Sequence, residues 1–160
     1  MKYIGILLIL SASILFGGVC SEKIGAPVRE LEEFLRFLRF MRERVVCYLE
    51  PPSSIARDFS SELLDSLGFL GEIRDGASLS SAFITSKDRL SLPDDDAKAL
   101  ADFFERCGKG YLESEVKLLD TAIEKLARSE EKYGENCRTR ARGIRVMTAA
   151  FGLGISILLI

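Results

Sequence analysis

The residues able to do chemistry are few, and their spacing does not serve it. The 160-residue chain has no histidine. A serine or cysteine nucleophile therefore lacks an imidazole base, and no Ser or Cys stands in a nucleophile-elbow context. The cysteines at 20, 47, 107 and 137 form no Cys-x-x-Cys pair, so a zinc site is not expected and they read as free thiols on helix faces. Asp94, Asp95 and Asp96 are three consecutive carboxylates. Consecutive helical residues point in different directions, which speaks against Mg²⁺ ligation, whereas the first turn of a helix welcomes the charge. Lys109 between two glycines has neither the spacing nor the hydroxyl of a phosphate loop. No catalytic, cofactor-binding or metal-binding set is expected, and the chain reads as a non-enzyme.

Arginine is the residue that clusters. Arg36, Arg39, Arg42 and Arg44 share a stretch with Phe34, Phe37 and Phe40. The plain reading is a basic face over a Phe-rich core. The functional reading makes Arg36, Phe37, Arg39, Phe40 and Arg42 a docking surface for an acidic partner, since Arg and aromatic side chains are the usual anchors of interfaces. A second cluster, Arg138, Arg140, Arg142 and Arg145, leads directly into an uncharged run. That position suits lipid headgroups and topology setting better than nucleic acid.

The elements that must carry these clusters follow from the charge distribution. Residues 3–19 and 146–160 contain no charged side chain, and nearly all of the charge lies between them. Each run is somewhat shorter than the ~20 residues of a typical spanning helix, and flanking residues extend it. Two transmembrane helices are expected, over 1–22 and 143–160, around a helical domain at 23–142. Lys and Arg crowd the middle side of both runs, which predicts a cytoplasmic domain in a cell membrane. An alternative treats residues 1–20 as a cleaved signal of a lipoprotein or secreted helical protein, with GGVC at 17–20 as the cleavage site. Val19 is a poor residue before such a cysteine.

The middle repeats apolar residues at helical spacing and has no period-two stretch. One helix is expected from Pro27, in its first turn, to Pro51-Pro52, with Leu31, Leu35, Leu38 and Val45 on a stripe that Phe34, Phe37 and Met41 widen. A second stripe carries Ile55, Phe59, Leu63, Leu67 and Leu70, with a break near Gly68. A turn at Asp75-Gly76 precedes a short helix that buries Leu79 and Phe83. The next helix starts near Pro93, buries Leu100, Phe103, Phe104 and Cys107, and ends at Gly108. The longest runs from Leu112 past Tyr133 toward the second apolar run. The expected fold is all-α, a bundle of five to six helices flanked by the two spans.

This layout resembles the stage III sporulation protein AB family over essentially the whole chain. The stretches that carry the resemblance are VRELEEFLRFL, VVCYLEPP with Tyr48 and Pro52, ALADFFERCG with Phe104 and Gly108, and SEEKYGENC followed by the basic and apolar end. DGASLSSAF is similar to a turn-into-helix motif of the type II secretion F-component cytoplasmic domain, with Gly76, Ser78, Leu79, Ala82 and Phe83 on the pattern. The resemblance implies a non-enzymatic platform in a secretion-like channel complex between mother cell and forespore. It implies the mother-cell membrane around the forespore as its place. Its partners would be a secretion-type ATPase, other channel membrane proteins and the bilayer, with a second copy of the chain as a further option and no nucleic acid.

Overall fold

The computed structural model describes the backbone of residues 2–48 and 50–158, and the side chains of 25–48, 50–137, 139, 140, 142, 143, 146, 147 and 150. Among these the architecture is all-helical: α1 (Lys2–Tyr48), α2 (Pro52–Asp58), α3 (Glu62–Ser66), α4 (Phe69–Arg74), α5 (Leu79–Ser86), α6 (Asp94–Arg106) and α7 (Leu112–Leu158). A single 3₁₀ turn at Lys87–Arg89 follows α5. The chain divides into two compact units, Pro27–Lys132 and the pair of segments Met1–Ala26 with Tyr133–Ile160. The two expected spans fall mostly on residues whose side chains lie outside the described set. Among the described residues no helix is long and apolar enough to cross a membrane.

Pro27 does not open a helix, as the sequence suggests, but lies inside α1. A proline removes one backbone donor from the ladder. Ending a helix would instead orphan four carbonyls, and α1 continues for 47 residues. Gly134 lies within α7, where one glycine costs about 1 kcal/mol.

The core of Pro27–Lys132 is built on aromatic rings. Phe34, Phe37, Phe69 and Phe83 are fully buried and Phe104 nearly so. Phe34 meets Phe69 and Phe83 edge-on, at centroid separations of 5.5 and 5.9 Å. Phe104 lies 5.3 Å from both Phe69 and Phe83. Such pairs contribute about 0.5–1.5 kcal/mol each beyond the area they bury. Leu31, Leu35, Leu38, Met41 and Val45 continue the same face of α1, as the period-3.6 pattern requires.

The region expected as one interrupted helix is three short ones. Gly68 is left-handed (φ 85°) and separates α3 from α4, where the break was expected. A further break at 59–61 arises because Ser61 caps α3, its hydroxyl accepting from the Leu64 N–H at 3.3 Å and donating to Glu33 Oε2 at 2.6 Å. The altered phase buries Leu64 fully and leaves Leu63 and Leu67 half-buried.

Candidate docking surface

The arginine run of α1 separates into members with different tasks. Phe37, read as an anchor for a partner, is wholly buried and packs edge-on to Phe59 and Phe69. It belongs to the core, because its position continues the apolar stripe through Phe34 and Leu38. Arg42 pairs with Asp120 of α7 through its Nε, with Nη2 at 3.5 Å from the second carboxylate oxygen. Arg36 donates to the Ser60 carbonyl at 2.9 Å, pairs with Glu33 at 3.2 Å, and stacks its guanidinium 5.2 Å from the Phe59 ring. Arg44 pairs with Glu50 at 3.1 Å and lies over Phe40 and Tyr48 at 5.3 and 5.5 Å.

What remains open is narrower than the sequence implied. Arg39 is exposed and has no partner among the described residues. Phe40, next in sequence, is half-exposed, and further along α1 Val46 and Tyr48 present 45% and 66% of their surface to solvent. An exposed arginine and partly exposed aromatic side chains on one helix are residue types that anchor protein interfaces. The pinned arginines hold the aromatic residues in place; as exposed pairs they add only about 0–1 kcal/mol each.

Of the residues expected to be structural, Pro52, Leu79 and Gly108 line a second feature, while Tyr48 is 66% exposed. Gly76 ends α4 in a Schellman motif: its N–H reaches the Ile73 carbonyl, that of Ala77 reaches Glu72, and φ is 98°. Ser78 then caps α5 by accepting from the Ser81 N–H at 3.2 Å. This delivers Leu79 and Phe83 to the core, 8% and 0% exposed. Pro51, Pro52, Leu79, Phe104, Cys107 and Gly108 line a cleft of about 310 Å³. Gly108 is left-handed (φ 82°), and a β-carbon there would lie 4.0 Å from Pro52 Cγ. Pro52, Leu79 and Gly108, from three separate motifs, therefore meet at one place.

Sequence reasoning missed the buried carboxylates that tie the bundle together. Glu30 is 4% exposed and accepts from the Ser91 N–H at 2.7 Å. Its burial raises its pKa above the usual carboxylate range, against the Ser91 hydrogen bonds that lower it. Asp96, read as a first-turn charge, is 2% exposed and accepts from the Ser129 hydroxyl at 2.6 Å. Glu115 Oε1 accepts from the N–H groups of Gly108 and Gly110 at 2.9 and 2.8 Å, closing the α6–α7 turn. Burial, and then the Glu115 carboxylate, push the Cys107 thiol up to about 12. That thiol stays protonated and is no nucleophile. The sequence hints at this only through Glu130, a polar residue on the otherwise apolar stripe of α7, which adjoins Ser129.

No group of three or more potential metal ligands occurs among the described residues. In the basic stretch, Arg140 and Arg142 are exposed, while the side chains of Arg138 and Arg145 lie outside the described residues. The family model for stage III sporulation protein AB matches residues 2–160. No curated protein and no solved structure matches the chain.

Proposed function

The chain belongs to the stage III sporulation protein AB family, and from that premise we propose that it is a non-enzymatic membrane platform of a sporulation-specific, secretion-like channel complex. Two terminal helices hold it in the mother-cell membrane around the forespore, and the Pro27–Lys132 bundle docks a cytosolic secretion-type ATPase. The family match over the whole chain is the observation that carries this reading. The similarity of DGASLSSAF to the secretion F-component motif supports the ATPase as partner. The open Arg39 and Phe40 surface supports α1 as the docking element. Arg39 supplies a charge for an acidic patch and Phe40 an apolar contact, the combination that hot spots use.

The test is capture of the ATPase by the detergent-solubilised full chain. Arg39→Glu is expected to weaken capture about tenfold or more, because it places like charges against each other in the interface. The melting temperature is expected to stay unchanged. Arg42→Glu is the contrasting variant, since it also breaks the Asp120 pair. Equal capture by wild type and Arg39→Glu sinks the docking face. No capture by the wild type sinks the ATPase assignment.

A further inference from the structure

The segment from Arg138 to Arg145 holds four arginines and no lysine, and no Asp or Glu occurs from 136 to 160. Its positive charge is therefore uncompensated within its own stretch of chain. Arg140 and Arg142 are exposed without an acidic partner among the described residues. Arg140 and Arg142 are the members of the cluster whose side chains are described, and both face solvent. Val146 and Met147 follow at once and are 63% and 68% exposed. A band of cations directly abutting exposed apolar side chains matches one kind of surface, an array of phosphates with hydrocarbon behind it. Nucleic acid would meet the arginines and leave Val146 and Met147 uncovered.

We propose that this arginine cluster selects anionic phospholipid by binding headgroup phosphates where α7 turns apolar. The exclusive use of arginine supports phosphate as the ligand, because the guanidinium fork binds phosphate oxygens in a bidentate manner that an ammonium cannot copy. Net charge sets the preference for anionic over zwitterionic lipid, and local screening makes it salt-dependent. The proposal rests on the membrane reading given under Proposed function, and it adds the lipid class.

The experiment is flotation of the full chain with phosphatidylcholine vesicles, with and without phosphatidylglycerol, at low and high salt. The expected result is flotation with both, a preference for the phosphatidylglycerol vesicles, and loss of that preference at high salt. Changing Arg138, Arg140, Arg142 and Arg145 to Gln should lower the preference by up to about fivefold per arginine. The Arg→Lys set should retain part of it. Flotation with both vesicles and no preference, or a preference untouched by the Gln set, overturns the proposal and leaves the membrane reading standing. Flotation with neither overturns both. Oligonucleotide binding that the Gln set abolishes, together with no preference between the vesicles, would assign the arginines to nucleic acid instead.

Discussion

Glu30 shows what burial does to a single carboxylate in this bundle. Desolvation outweighs the Ser91 and Leu92 hydrogen bonds and the charge of Arg29, so the pKa lies above its ordinary value. A raised folded-state pKa means that the favourable contribution is complete below the unfolded pKa and is lost as pH rises through the folded one. Glu30→Gln keeps an oxygen to accept from Ser91 and removes the buried charge. The variant is expected to match or exceed the wild type in thermal stability at neutral pH. The difference should vanish on acidification toward the ordinary carboxylate pKa. Thermal melts of both proteins across that range decide it, and a deficit for the variant that grows toward neutral pH would refute the balance. None of this was legible in the sequence, where Glu30 is one acid among many. Its partner lies 61 residues away, and helical periodicity carries no information at that range.

Helix ends were the most readable part of the fold, and helix interiors the part most often overruled. Asp75-Gly76 signalled a turn because only a residue tolerant of positive φ closes α4 in that geometry. Ser78 at the start of α5 spares an N–H that would otherwise go unsatisfied. Ser78→Ala is expected to cost about 1 kcal/mol in denaturant unfolding, while Ser80→Ala two residues on costs little. Equal losses at both positions would deny Ser78 its capping role. Pro27 and the Phe59–Ser61 break went the other way. There the balance of ladder bonds and a cap to Glu33 decided, and these depend on elements that meet only after folding. The Arg/Phe helix shows the same division. Its buried stripe was plain from spacing, yet which arginines were already engaged depended on Ser60, Asp58 and Asp120 arriving from elsewhere.

At the level of the whole molecule, thiols report placement. Cys47 is exposed, whereas Cys107 is partly buried with its thiol pushed up to about 12. In intact cells a membrane-impermeant maleimide is expected to modify neither. In opened membranes Cys47 should react quickly and Cys107 only on unfolding, as site-resolved mass spectrometry can record. Rapid modification of Cys47 from outside intact cells would overturn the proposed cytoplasmic placement of the bundle. Recovery of a mature chain beginning at Cys20 would favour the lipoprotein alternative.

The contact between Asp96 and Ser129 has a mechanical consequence. Leu100 and Phe103 of α6 and Leu119 and Leu126 of α7 are buried apolar residues, and the Asp96–Ser129 pair adds one polar contact between the two helices. A slip of residues 112–132 by one helical turn, about 5.4 Å, would carry the hydroxyl away and strand a carboxylate against hydrocarbon. An unpartnered buried charge costs several kcal/mol, so that slip is barred while side-chain repacking is not. Within the bundle this single contact thus sets the axial register of α7 against α6.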